Sequence, residues 1–231
     1  MPEDEGPRHT FLFADLSGFT ALTEVHGDRE AADLAGGFFA DARALLAEHG
    51  AEEVKTLGDA MMVRCERATG GIGLGLRMVQ EVGARHGFPS VRVGLHTGPA
   101  IERDGDWFGA AVNLAARVSG AAVGGEVLLT GASAAAAGAP TGGDLGAIPP
   151  HTNVVLRPRG SRRLRNVAEP VELYEASCEL SRSRYSMPID PVCRMAVDPG
   201  HAAGRLTVEG VDYLFCSIEC ARKFAEAPER Y

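Results

Sequence analysis

Six polar residues at four points of the chain have the types that phosphates and hard cations call for. They are Asp15 in FADLSGFT, Lys55 and Asp59 in VKTLGDAMM, Asp106 in GDWFG, and Asn113 with Arg117 in VNLAARV. Asp15 and Asp59 each fall at the end of a β-prone run. Hard cations such as Mg²⁺ or Mn²⁺ take oxygen ligands, commonly one or two carboxylates together with substrate phosphates. An Asp after a strand is also a turn former, so the pair alone leaves both readings open. Asn113 and Arg117 stand four apart in an Ala-rich segment and would emerge on one helix face. There a guanidinium could neutralise a phosphate and an amide could hold a ribose oxygen, although a solvated face has the same pattern. A second constellation lies near the end of the chain, where Cys193, Cys216 and Cys220 have the spacing C-x22-C-x3-C. Three thiolates suit a soft or borderline metal such as Zn²⁺ or Cu⁺. Small buried thiols in a mini-core are the alternative. A fourth ligand would come from Asp190, His201 or an exogenous group.

These residues need elements to hold them. Thr10 to Ala14 is a short apolar run, which places Asp15 at the end of a buried strand before a turn through Ser17 and Gly18. From Asp28 to His49 apolar residues recur at three and four, with Gly50 as a stop, so a helix is expected. Two short apolar runs around Leu57-Gly58-Asp59 predict a β-hairpin with Asp59 at its turn and Lys55 on the incoming strand. A helix over 69–86 and a strand over 90–97 follow, then a Gly/Asp-rich loop over 103–109 and a helix over 110–119. Further strands are expected at 126–130, 153–156 and 171–176, with an Ala-rich helix or loop after the first. A Gly/Pro-rich loop spans 138–150 and a basic turn 157–166. Gly70 to Gly75 (GGIGLG) has no following Gly-Lys-Ser/Thr and is expected to be a packing segment rather than a phosphate loop. His96 and Cys65 are expected to be structural. Strands and helices in this order predict an α+β fold, a mixed β-sheet with packed helices.

With 231 residues, 45% of them apolar, the chain can bury a substantial core. Its net charge of −8 argues against nucleic acid or an anionic membrane as a partner. No stretch approaches the roughly 20 apolar residues of a membrane helix, and the acidic start does not resemble a signal peptide, so a cytoplasmic location is expected. Five cysteines, three of them in the tail, suit a metal or redox role better than disulfides in a reducing compartment.

Across about 8–177 the chain resembles the class III nucleotidyl cyclases. The stretches that carry the resemblance are FADLSGFTAL, VKTLGDAMM, VRVGLHTGPA, GDWFGAAVNLAARV and RLRNVAEPVELYE. It implies a ferredoxin-like core and a site for ATP, with Asp15, Asp59 and the Leu16 carbonyl holding two Mg²⁺ or Mn²⁺ ions. Lys55 and Asp106 match the purine-reading pair in its adenine form, since Lys is a pure donor and Asp a pure acceptor. Asn113 would orient the ribose, and Arg117 would steady charge on the α-phosphate. Arg165 falls where the family commonly has a Lys toward the terminal phosphates, an exchange that keeps charge and alters geometry. One ion would activate the ribose 3′-hydroxyl and the other hold the leaving pyrophosphate. The family builds this site between two subunits, and a chain carrying both residue sets implies a head-to-tail homodimer. The implied activity is adenylate cyclase; a guanylate cyclase or a non-catalytic nucleotide-binding or metal-sensing scaffold is the alternative.

The tail, 189–231 after a linker at 178–188, is similar to the YHS domain through DPVC, the run Tyr213 to Ser217 and the closing KFxxxPERY. Arg194 stands where that family commonly has Gly. The resemblance implies a β-hairpin and helix module that binds metal through its cysteines and adjusts the cyclase. A module this short barely buries a core, so a metal or docking onto the cyclase would help it stay folded.

Overall fold

The computed structural model describes residues 6–178 and 187–231. The apolar run expected at Thr10 to Ala14 is the centre of β1 (Arg8–Leu16), whose residues 11 to 14 are all buried. It is followed by a short helix that the sequence reading did not anticipate, α1 (Phe19–His26), then α2 (Asp28–Leu46), which runs on through a single 3₁₀ turn to His49. The predicted hairpin is β2 (Ala51–Leu57) and β3 (Ala60–Cys65), with Gly58 and Asp59 as its turn. Next come α3 (Ala68–Arg77), β4 (Val91–Pro99), α4 (Ala110–Ala121), β7 (Val127–Thr130) and α5 (Gly131–Ala136), with β5 (Ile101–Arg103) and β6 (Asp106–Phe108) between β4 and α4. The sheet is completed by β8 (Gly143–Ile148), β9 (His151–Arg162) and β10 (Val171–Cys178).

The eight strands pair in the order β2-β3-β1-β4-β7-β10-β9-β8, antiparallel throughout except for the parallel pair β4 and β7. The first four strands with the intervening helices form a βαββαβ unit of the ferredoxin-like type, as expected. Alternation along β1 divides the molecule into two layers of packing. Leu12, Ala14 and Leu16 point into the main core with residues of α2 and α3, whereas Phe11 and Phe13 pack with Met62 and with Ala111, Val112 and Ala115 of α4. Gly94 is what lets α4 lie so close to β4, because a Cβ there would sit 1.9 Å from the Ser119 nitrogen. The GGIGLG stretch is a packing segment inside α3, where a Cβ on Gly71 would meet Leu95 at 2.8 Å.

Several expected boundaries are corrected. The loop over 103–109 is mostly a hairpin, with Ile101 paired to Phe108 and Arg103 to Asp106. The Gly/Pro-rich loop contains the edge strand β8. The basic turn is strand as far as Arg162, so only Arg163 and Arg165 lie in the turn itself. Regular α-helix stops at Arg77 rather than near residue 86, passing into a π turn over Met78–Val82. The chain then bends at Gly83, where a Cβ would sit 2.6 Å from the Val91 nitrogen. Cys178, placed in the expected linker, is the buried last residue of β10, and 179–186 lie outside the described residues.

The tail forms a hairpin of β11 (Gly204–Val208) and β12 (Val211–Phe215) followed by α6 (Ile218–Glu226), capped at its start by the Ser217 hydroxyl. It does not stand apart. Val192, Cys193, Met195, Phe215, Cys220 and Phe224 share one buried cluster with Leu22 of α1 and Ala31 of α2. Backbone hydrogen bonds reinforce this, Ala196 N–H to Phe88 O at 2.9 Å and Ser90 N–H to Arg194 O at 3.1 Å.

Candidate functional site

Asp15 and Asp59 meet because β1 and β3 pair in the register that sets Asp15 opposite Ala60, the residue after the hairpin turn. The carboxyl of Asp59 is pushed up to about 7, first by burial and then by its hydrogen bond to Asp15 and the charge there. On the other side Asp15 lies opposite Arg92 in β4 and accepts from Arg92 Nε at 2.8 Å. Two crowded carboxylates form an all-oxygen donor set, which a divalent cation fits. Arg92 was not singled out from the sequence, although it lies in the VRVGLHTG stretch. Only the strand register shows that it is the counter-charge of Asp15.

The second pair converges in the same way. Lys55 sits on β2 opposite Met62, and Met62 faces α4, so Lys55 shares that face. Lys55 Nζ is 2.5 Å from Asp106 Oδ2, and the Trp107 backbone N–H donates to Asp106 Oδ1 at 2.8 Å. The Lys55 ammonium beside it and that N–H hold the Asp106 carboxyl below its usual range. Both side chains remain about one-third exposed, 36% and 30%, so the pair is open to an incoming ligand.

Asn113 and Arg117 emerge together from the outer face of α4, both exposed, while Ala111, Ala115 and Val118 of the same helix are buried. Arg165 is exposed in the turn after β9, where neighbouring Leu164 is buried and anchors the turn beneath α4 with Val118 and Leu128. Leu16 is buried as the last residue of β1. His96 is structural: Nδ1 lies 2.8 Å from Thr130 Oγ1, and burial lowers its pKa to about 4. Cys65 is fully buried, and burial raises its thiol to about 12.

The tail cysteines also come together. Cys193 Sγ lies 3.3 Å from Cys216 Sγ, which lies 3.7 Å from Cys220 Sγ. Contacts with the other two sulfurs hold Cys220 far below the usual thiol value, while the same contacts and burial push Cys216 up. Neither Asp190 nor His201 completes the set. The Asp190 carboxylate is fully buried and accepts the backbone N–H groups of Val192 and Cys216, each at 2.9 Å, tying the two cysteine turns together. His201 is paired outward with Asp198 at 2.9 Å. The residue that does join the sulfurs is His26, the last residue of α1, with Nε2 3.5 Å from Cys216 Sγ. Donor atoms of His26, Cys193, Cys216 and Cys220 all lie within 4.8 Å of one another, a set able to hold a metal ion. Its only sequence signal was a His-Gly helix ending on a helix that was not foreseen.

The sheet is ferredoxin-like, with an acidic pair at the end of β1 and a Lys-Asp pair formed by β2 and β6, and the comparisons identify its family. Residues 3–140 match the adenylate and guanylate cyclase catalytic domain, and residues 188–231 match the YHS domain. The chain belongs to the adenylate and guanylate cyclase family. It is 38% identical over 165 residues to a pH-sensitive adenylate cyclase of Mycobacterium tuberculosis, covering 71% of this chain and 39% of that protein. It is also 38% identical over 131 residues to an adenylate cyclase of Streptomyces griseus, covering 57% of this chain and 32% of that one. The chain thus spans less than two-fifths of the length of these relatives. A solved adenylate cyclase from Trypanosoma brucei shares the fold with a TM-score of 0.62 at 20% identity, over 85% of this chain and 97% of that one. No helix among the described residues is long and apolar enough to cross a membrane.

Proposed function

We propose that the chain is an adenylate cyclase that converts ATP to 3′,5′-cyclic AMP and pyrophosphate. The observation that carries this reading is the placement of Asp15 with Asp59, and of Lys55 with Asp106, on the sheet face that α4 covers. Asp15, Asp59 and the Leu16 carbonyl would hold Mg²⁺ or Mn²⁺, which supply Lewis acidity toward the 3′-hydroxyl and the departing pyrophosphate. Lys55 donates to an adenine ring nitrogen and Asp106 accepts from the exocyclic amine. Their mutual ion pair keeps both oriented before the base arrives. Asn113 orients the ribose, Arg117 meets charge that grows on the α-phosphate, and Arg165 binds the terminal phosphates. The 3′-hydroxyl gives up its proton to water, and its oxygen forms a bond to the α-phosphorus as the bond to the pyrophosphate oxygen breaks.

The active unit in this reading is a head-to-tail homodimer, with the acidic pair on one protomer and the Lys, Asp, Asn and Arg set on its partner. Leu57, Ile101 and Phe108, each more than half exposed, support it. The Phe108 ring centre is 5.9 Å from Lys55 Nζ, so this apolar surface borders the base-reading pair and suits a subunit contact. The proposed catalytic domain is 8–177 and the proposed metal-binding domain 189–231.

The test is cyclic nucleotide formation by the purified chain with Mn²⁺ and either ATP or GTP, with Asp59→Ala as control. Cyclic AMP from ATP, lost in the control, is the expected result. Product from GTP alone would make it a guanylate cyclase, and none from either would favour a non-catalytic scaffold.

A further inference from the structure

We propose that His26, on the first helix of the cyclase sheet, closes a four-coordinate zinc site with Cys193, Cys216 and Cys220, so that the metal joins the tail to the helix leading out of the nucleotide site. The three thiols alone would make a site internal to the tail. The geometry places the fourth donor in the other part of the molecule. Zn–S bonds of about 2.3 Å in a tetrahedron set sulfur-to-sulfur edges of about 3.8 Å. The observed separations of 3.3 and 3.7 Å, and the 3.5 Å from His26 Nε2 to Cys216 Sγ, are close to such edges. Cys₃His is an established ligand set for closed, structural zinc.

Two further features support His26 as a ligand. Its Nε2 is turned to the sulfurs while Nδ1 lies 3.4 Å from the Glu30 carboxylate, one turn along the chain. A metal-ligating histidine almost always gives its other ring nitrogen such a partner, which fixes the tautomer and ring orientation. The side chain is also only 12% exposed, in the cluster built from α1, α2 and the tail.

The position of α1 gives the site its consequence. Asp15 and Leu16 end β1, Gly18 starts α1 in the left-handed region at φ 76°, and His26 ends it. The tail holds both ends. At the start, Arg194 packs so closely on Gly18 that a Cβ there would meet Arg194 Cγ at 2.5 Å. Arg194 itself is held at φ 65°, in the left-handed region that a non-glycine residue seldom adopts. At the far end stands the His26 site. Zinc binding displaces the thiol protons and ties α1 to the tail, so the site sets the mobility of the segment next to Asp15.

The experiment uses the whole chain, stripped of metal and titrated with Co²⁺ and then Zn²⁺. Wild type is expected to bind one ion with intense visible d–d bands and sulfur charge transfer, the signature of a tetrahedral Cys₃His site. His26→Ala is expected to weaken binding by more than about 100-fold, beyond the range of a residue acting through another ligand, and to alter the d–d bands. His26→Cys should restore tight binding with added sulfur charge transfer, showing that the histidine position rather than folding is at issue. Amide exchange in 19–26 should slow on zinc addition in wild type and not in His26→Ala. Unchanged affinity and spectra in His26→Ala would overturn the proposal, as would wild type binding no more metal than Cys216→Ser, or exchange in 19–26 indifferent to zinc. An effect of zinc on turnover rests on the cyclase reading. A chain inactive with or without zinc would remove that reading and leave the binding and exchange results standing.

Discussion

The two polar centres of this chain are built on opposite principles. At the proposed nucleotide face the side chains are open: Lys55 and Asp106 are about one-third exposed, Asn113, Arg117 and Arg165 are exposed, and the half-exposed Phe108 ring lies beside Lys55. At the thiol centre Cys193 and Cys220 are fully buried, and Asp190 behind them is satisfied by backbone donors. In the proposed reading an open constellation leaves its contacts to be completed by a substrate and a partner. A closed one has its contacts already made, and its value is in holding parts together. The difference explains why the same chain needs carboxylates in one place and thiols in the other.

Breaking the open centre should have the larger effect. In the proposed reading Asp59→Ala removes an oxygen ligand of the metal, which supplies several kcal/mol of charge stabilisation, so cyclic AMP formation should fall on the order of 10³-fold. Rates at saturating Mn²⁺ and ATP check this, and an unimpaired variant would break the assignment. In the same reading Arg117→Ala should lower kcat by about 10²-fold with little change in KM, because the proposed contact strengthens only as charge develops. An effect confined to KM would make Arg117 a binding group instead.

Changes at the closed centre should appear in stability. Asp190→Ala leaves the backbone N–H groups of Val192, Cys193 and Cys216 without their acceptor and should cost about 3 kcal/mol, read as a lower urea midpoint. A shift no larger than a surface substitution would show that the tail is less closed than its burial indicates. A smaller effect sharpens the picture at the proposed base-reading pair. Asp106→Ala should reduce discrimination between ATP and GTP by roughly 10-fold, measured as a ratio of kcat/KM values.

The smallest expected effect concerns pH. His96 has its folded pKa lowered to about 4 from 6.5, so its neutral form belongs to the folded state. The unfolded chain then binds the extra proton, and this contribution is intact above about pH 6.5 and lost as pH falls toward 4. The urea midpoint of wild type relative to that of His96→Gln should therefore fall between pH 7 and pH 5.

Much of the architecture was legible because it rests on local pattern. The run at Thr10 to Ala14, the hairpin around Gly58-Asp59 and the helix from Asp28 have periodicities and turn residues that tertiary packing did not override. What was missed has equally local reasons. Helix α1 has no side-chain cap and only one fully buried residue, Leu22, so it left no periodic stripe. The strand β8 consists of Gly, Asp and Ala beside one Ile and one Leu, a composition that signals loop, and it exists because β9 offers a partner. The hairpin of β5 and β6 is three residues on each side, too short for alternation to register.

The sequence by itself determined which chemistries the chain could hold: hard-cation oxygens, a Lys-Asp pair, an Asn and Arg on one helix face, and three thiols at a recognisable spacing. Residue type and short-range periodicity carry that information. Only the tertiary structure decided the partners. Strand register set Arg92 against Asp15 and joined Lys55 to Asp106, and the docking of the tail set His26 rather than Asp190 or His201 beside the sulfurs. The reason is physical. A contact between residues 51 or 190 positions apart leaves no periodic trace in the chain, and exists only once buried apolar surface has fixed how sheet, helix and tail pack.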